Sequence, residues 1–178
     1  QRQMQVHHYR DTALFLDRAT SFLSRAEAEN GMFLSMGGRA AVLGDQCYLA
    51  TVERGEEVVA CAVRTPPFGL VITRAEPSAL DALLEDLAGK HAALPSVLGP
   101  EPTVSVFAQH WSERMGTRAR PFMQMRMFEA RHIQFPEVPP SGRLRLALES
   151  DLPTVTPWVA AFHEEARTGD PLDPVRVT

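Results

Sequence analysis

Two apolar runs and the amphipathic stretch that follows them constrain the fold more than any other feature of the chain. The first run is Val58–Val63 and the second is Phe68–Thr73; Pro66-Pro67 separates them, because proline cannot donate to a strand ladder. After Pro77, apolar side chains recur at helical spacing as far as Leu94. Two strands that feed one amphipathic helix predict an α/β unit whose sheet is covered on both faces.

The link between the second run and the helix bears on cofactor binding. A strand that runs directly into a helix N-terminus is a common phosphate site, because the first N–H groups of the helix lack partners within it. Here the link is Arg74–Ser78, which contains no glycine and places a carboxylate at Glu76 and an imino acid at Pro77. The order of elements favours a phosphate-bearing cofactor, whereas the residues of the link argue against one.

Length and composition are those of an ordinary globular chain. The 178 residues suffice for one domain and part of another, and 44% of them are hydrophobic. The net charge of −4 gives no general attraction to nucleic acid, and no apolar run approaches the ~20 residues that span a bilayer. The first ten residues are polar, and the two cysteines lack a CxxC spacing. These features predict a cytoplasmic protein with neither a nucleic-acid nor a membrane partner.

The residues before the central unit predict a strand, two helices and the start of a hairpin. Met4–Tyr9 is a candidate for a short first strand, and Asp11 is placed as the N-cap of a helix. The dipeptide Asn30-Gly31 predicts a break, after which a second helix runs to Gly44. A turn at Arg54-Gly55-Glu56 predicts that the next strand pairs with the first apolar run.

The residues after the central unit predict a strand, a helix and a longer strand. Ser96–Gly99 is short and apolar, and Thr103 begins a helical pattern that ends before Gly116, a good C-terminal glycine. Pro121–His132 alternates with a period of two, which predicts a half-buried strand.

Beyond a proline-bearing linker at 136–142 the pattern starts again. Arg143–Leu148 alternates like an edge strand, and Ser150 or Asp151 can cap a new helix. Pro157 predicts a kink or a late start in that helix. This strand and helix have no sheet of their own.

Several short phrases are typical of one protein family. They are Glu27-Ala28-Glu29-Asn30, Arg64-Thr65-Pro66-Pro67, Leu94–Pro100, Phe107–Trp111, Gly142–Arg145 and Trp158. With the order strand, helix, helix, three antiparallel strands, helix, strand, helix, strand, they resemble the GNAT family of N-acetyltransferases. The likeness covers nearly the whole chain. It is to a two-domain branch, in which a degenerate N-terminal GNAT half precedes a functional GNAT domain.

The resemblance implies an α/β (α+β) fold with a mixed, mainly antiparallel central sheet flanked by helices. It implies a GNAT-like N-terminal domain at 1–135, a linker at 136–142, and the first strand and helix of an incomplete second GNAT domain at 143–178. For the complete enzyme it implies acetyl-CoA as co-substrate and a small-molecule or peptide amine as acceptor.

By topological position alone, the resemblance places the cofactor at Ile72, Thr73, Arg74 and Ser78. Family members bind the pyrophosphate with a Gln/Arg-x-x-Gly-x-Gly/Ala turn, whose glycines are absent here. No catalytic residue or metal ligand carries over, and His110 and Glu113 favour a solvated helix face over a proton-transfer pair. We therefore expect this chain alone to be catalytically silent.

Two non-enzymatic alternatives remain open at this point. The unpaired strand Arg143–Leu148 can add to the sheet edge of a second copy, which predicts an interaction module or homo-oligomer. A GNAT-like cleft without catalysis can also serve as a ligand sensor.

Overall fold

The structure is a computed structural model that describes residues 3–38, 46–91 and 93–166. The chain divides into two units, Gln1–Ala130 and Arg131–Thr178. The boundary between them lies before the predicted linker at 136–142. None of the described helices has the length and apolar character that crossing a membrane requires.

The first unit is built on a five-stranded sheet whose strands lie in chain order. β1 (Met4–His8), β2 (Tyr48–Arg54), β3 (Glu57–Arg64) and β4 (Leu70–Ile72) are antiparallel to their neighbours. β5 (Val97–Leu98) pairs with β4 in parallel. The predicted fold class, a mixed and mainly antiparallel sheet flanked by helices, is confirmed.

Helices cover both faces of this sheet. α1 (Thr12–Leu23) and α2 (Glu27–Leu34) pack on one face, where Phe15, Phe33 and Cys61 belong to one buried cluster. α3 (Pro77–Lys90) and α4 (Thr103–Met115) supply the cluster on the other face, which holds four leucines of α3 and the stacked rings of Phe107 and Trp111. A sheet buried on both sides explains why β3 reads as a continuous apolar run.

Several local predictions are confirmed. Asp11 caps α1, since its Oδ1 accepts a 2.6 Å hydrogen bond from the Ala13 N–H. Gly55 closes the β2–β3 hairpin at φ +65°, and Gly116 ends α4 at φ +65°. Both glycines adopt the left-handed backbone that a side chain would strain.

The break between the first two helices lies earlier than predicted. A 3₁₀ turn at Ser24–Ala26 separates α1 from α2, and α2 runs through Asn30-Gly31. Asn30 is buried, and its Nδ2 donates a 3.0 Å hydrogen bond to the Leu23 carbonyl. A residue with turn propensity therefore joins the two helices. The end of the predicted second helix, at 39–45, lies outside the described residues.

Two alternating segments do not form strands. The structure assigns no strand to Pro121–His132 or to Arg143–Leu148, and the residues of both are exposed. The predicted unpaired C-terminal strand is therefore wrong for this structure. Alternation fixes which way side chains would point, but a strand also needs backbone partners on a neighbouring strand. The described part of the chain supplies none to either segment.

The second unit contains one long helix, α5 (Leu152–Ala166), preceded by a 3₁₀ turn. The Asp151 carboxylate does not cap α5 as predicted but stabilises the 3₁₀ turn, where it accepts hydrogen bonds from both terminal nitrogens of Arg145 and from the Leu148 N–H. These bonds hold the pKa of Asp151 below its ordinary value. The helix continues through Pro157 and buries none of its residues.

Candidate functional site

Ile72 and Thr73, the first two predicted cofactor positions, are buried at the end of β4. The Thr73 N–H donates to the Cys61 carbonyl at 3.0 Å, and the Cys61 N–H donates to Thr73 Oγ1 at 2.9 Å. These bonds extend the pairing of β3 and β4 beyond the last strand residue. Burial and these hydrogen bonds give both residues a structural role at the end of β4.

Arg74, the third predicted position, is exposed but engaged. Its Nε and Nη2 donate to the Glu29 carboxylate at 3.3 and 2.7 Å, and its Nη1 donates to the Glu101 carbonyl at 3.0 Å. The hydrogen bonds to Glu29 and the charge of that carboxylate raise the pKa of Arg74 above its ordinary value. The guanidinium thus joins α2, the β4–α3 crossover and the loop before α4.

The crossover places a carboxylate beside the N-terminus of α3, although that carboxylate accepts no hydrogen bond from the first backbone N–H groups of the helix. Glu76 is the N-cap residue, and its carbonyl accepts from the N–H groups of Ala79 and Leu80 at 3.1 Å. Its carboxylate accepts a 2.7 Å hydrogen bond from Ser78 Oγ, the fourth predicted position, and forms an ion pair with Arg54. The crossover therefore carries its own anion where a helix N-terminus favours negative charge.

Arg54 also lines a groove that the sequence patterns did not reveal. The groove has a volume of about 480 Å³ and lies between α1 and the β2–β3 hairpin. Its lining residues are Arg18, Ser21, Phe22, Arg25, Arg54, Glu56, Glu57 and Val58. The first four recur at i, i+3, i+4 and i+7, so they share one face of α1 and the turn that follows it. This helical spacing is a signal in the sequence that could have indicated the groove.

One wall of the groove is fixed by an ion pair in which the carboxylate is buried and the arginine is partly exposed. Arg18 donates to Glu53 through Nε at 3.1 Å and through Nη2 at 2.5 Å, and Thr51 Oγ1 donates to the same carboxylate at 2.9 Å. Glu53 is only 5% exposed. Burial disfavours its charged form, but the hydrogen bonds from Arg18 and Thr51 outweigh burial and lower the pKa of Glu53. The pair stays ionised and rigid.

A second polar cluster lies where α3 ends, around Tyr48. The Asp86 carboxylate accepts hydrogen bonds from Tyr48 Oη at 2.7 Å and from Lys90 Nζ at 2.5 Å, and His8 Nε2 lies 3.1 Å away. Burial disfavours the Asp86 carboxylate, but these three partners outweigh it and lower its pKa. Burial raises the pKa of the Tyr48 phenol, which therefore stays a donor.

Arg64 and His91 extend this cluster. Arg64 Nη1 lies 2.9 Å from His91 Nδ1, so the guanidinium donates to a neutral imidazole. The pKa of His91 is lowered by burial and by the charges of Arg64 and Lys90. The sequence patterns missed this cluster, because its members come from three strands and the end of one helix. No described group of three or more metal-ligating side chains is placed to hold an ion.

Comparison with known proteins adds nothing to this geometry: no family model, curated protein or solved structure matches the chain. The likeness to GNAT enzymes therefore stays a prediction.

Proposed function

We propose that this chain is the non-catalytic, GNAT-like half of an acetyl-CoA-dependent N-acetyltransferase. Its role is to support the acceptor side of the complete enzyme. Two features support the proposal. From β1 to α4 the elements follow the order that the resemblance implies. The N-terminus of α3 is the position where family members bind pyrophosphate, and here it carries the Glu76 carboxylate.

The Glu76 carboxylate is the observation that carries the non-catalytic assignment. A diphosphate at this helix N-terminus would meet a like charge that Arg54 and Ser78 hold in place. Pro77 also removes one of the first backbone donors of α3, on which anion binding depends. Both the charge and the donor count therefore oppose CoA at this crossover.

In the complete enzyme an amine of a small molecule or peptide would attack the acetyl thioester. The carbonyl oxygen would be polarised by backbone N–H groups outside this chain. Two free cysteines support a reducing, cytoplasmic location, and burial raises the pKa of the Cys61 thiol and keeps it unreactive.

Titration calorimetry with CoA tests the proposal directly. We expect the 178-residue chain to show no saturable CoA binding and no acetyl transfer from acetyl-CoA to an amine panel. A double variant, Glu76→Gln with Pro77→Ala, removes the charge and restores the donor, so weak CoA binding should appear. Glu85→Gln, on the exposed side of α3, is the matched control. Acetyl transfer by the unaltered chain, or CoA seated beside Ser78, would overturn the proposal.

A non-enzymatic interaction module is the second candidate, favoured by the apolar surface of the second unit. Leu144, Leu146, Trp158 and Phe162 are all exposed there. A second copy that packs against Leu144 and Leu146 would cover these two leucines and produce a homo-oligomer. Light scattering over a wide concentration range distinguishes the two candidates, since a strict monomer contradicts this one.

A further inference from the structure

Of the three arginines that line the groove between α1 and the β2–β3 hairpin, Arg18 is fixed by its partners and Arg25 is free to exchange them. Arg18 cannot turn toward a ligand without leaving the buried Glu53 carboxylate without a charged partner, so its side chain stays a fixed part of the lining. Arg25 instead lies 3.4 Å from Glu57 through Nη1, and the two side chains are 64% and 56% exposed. An exposed ion pair at this distance contributes little to stability and exchanges readily.

Arg25 and Glu57 place opposite charges side by side at the mouth of the groove. A ligand that carries only an anion would have to compete with Glu57 for Arg25. A ligand that carries only a cation would have to compete with Arg25 for Glu57. A ligand with both charges replaces one weak pair with two, so the pair selects for a zwitterion.

The rest of the lining is mixed and includes one area that can contact a small apolar group. Phe22 provides most of this apolar surface, next to the almost fully buried Val58, and Ser21 adds one hydroxyl. A volume of about 480 Å³ is within the range of small-molecule sites, roughly 300–1,000 Å³. Arg54 also lines the groove, but it is already paired with Glu76.

We propose that this groove binds a small zwitterionic amino compound, of the class of an α-amino acid with an apolar side chain. Its carboxylate pairs with Arg25, its ammonium group pairs with Glu57, and its side chain packs against Phe22 and Val58. The inference stands apart from the acetyltransferase proposal, because it requires neither CoA nor acetyl transfer. Its failure would leave the CoA experiment unchanged.

The test is calorimetry or protein-observed NMR with three related probes. L-leucine carries both charges, its methyl ester lacks the carboxylate, and N-acetyl-L-leucine lacks the ammonium group. We expect L-leucine to bind saturably and each derivative to bind about three- to fivefold more weakly, since each lost ion pair is exposed. NMR shifts should cluster at α1 and the hairpin.

Variants locate the site. Arg25→Gln and Glu57→Gln should each weaken L-leucine binding by about three- to fivefold, whereas Arg114→Gln and Glu85→Gln, at exposed positions away from the groove, should not change it. Ser21→Trp keeps every charge but fills the groove, and should abolish binding. Because Ser21, Arg25 and Glu57 are exposed, these variants should fold, which melting curves check. Three results would each reject the zwitterion site: no saturable L-leucine binding, equal binding of the derivatives, or unchanged binding by all three groove variants.

Discussion

The Tyr48 hydroxyl donates a 2.7 Å hydrogen bond to Asp86 Oδ2 and so joins β2 to α3. The ring of Tyr48 meets those of His8 and His91 edge to face, with centroids 5.2 and 5.8 Å away. Lys90 donates to the other oxygen of Asp86. The Asp86 carboxylate thus holds the last turn of α3 against the end of β1 and the start of β2.

Tyr48→Phe should destabilise the first unit by about 1–2 kcal/mol, because a buried hydrogen bond to a charged acceptor is lost while the ring still packs. Urea unfolding measures the change. Tyr9→Phe is the control, since Tyr9 Oη lies 3.3 Å from Thr51 Oγ1 in a longer contact between neutral groups. Equal losses in the two variants would contradict the role given to Asp86.

His91 should make the stability of the first unit pH-dependent. Its pKa is lowered in the folded chain by burial and by Arg64 and Lys90, so the unfolded chain takes up this proton at higher pH. The stabilisation from neutral His91 is therefore fully present above the unfolded pKa of about 6.5 and is lost as the pH falls below it.

The variant His91→Gln keeps an acceptor for Arg64 without titrating. Between pH 7.5 and 5, the wild type should lose more free energy of unfolding than this variant does. His132→Gln, exposed in the second unit, should behave as the wild type. A wild-type loss no larger than that of His91→Gln would show that His91 does not titrate in this way.

Arg18→Met should cost about 3 kcal/mol, because it leaves the Glu53 carboxylate buried with Thr51 as its remaining donor. Replacing both partners, by Arg18→Met with Glu53→Leu, should cost less than the single change, since no charge is stranded. Arg25→Met, at an exposed position, should stay within about 0.5 kcal/mol of the wild type. Denaturant unfolding of the wild type and the three variants measures these free energies. A double variant less stable than Arg18→Met would contradict the prediction.

Two glycine substitutions should have opposite signs. A Cβ on Gly99 would lie 2.8 Å from the Ile72 carbonyl oxygen and 2.7 Å from Ile72 Cγ1, so Gly99→Ala must push β5 from β4, at about 1–3 kcal/mol. A Cβ on Gly31, within α2, meets nothing within 4 Å. Gly31→Ala should therefore stabilise by up to about 1 kcal/mol. Thermal melts give both signs, and a Gly99→Ala protein as stable as the wild type would contradict the close approach.

The elements that the sequence predicted well are those that local chemistry determines. Gly55, Gly116 and Asp11 each act within a few residues of their own position, so a pattern along the chain reveals them. The predicted helix break at Asn30 was wrong for the opposite reason. The Asn30 side chain donates a hydrogen bond to the Leu23 carbonyl across the corner between two helices, and this contact outweighs the preference of asparagine for turns. A sequence pattern around Asn30 does not indicate such a contact.

The sequence predicted that the chain from Ile72 to Ser78 joins a strand to a helix, which the structure confirms. It did not reveal which of these side chains are buried, and their role in holding a cofactor stays a prediction. The groove was missed because Arg25 and Glu57 are far apart in sequence, and only the packing of α1 on the hairpin brings them together. The alternation at Pro121–His132 failed because a strand depends on a neighbour that a single segment does not specify.

The two tryptophans give each unit its own optical reporter. Trp111 lies in the core beside Phe107, whereas Trp158 on α5 is 69% exposed. Fluorescence from Trp111 will shift to longer wavelength only when the first unit opens, while Trp158 already emits from water. Replacing Trp158 with phenylalanine leaves a single emitter, so the unfolding of the first unit can be followed without any added dye.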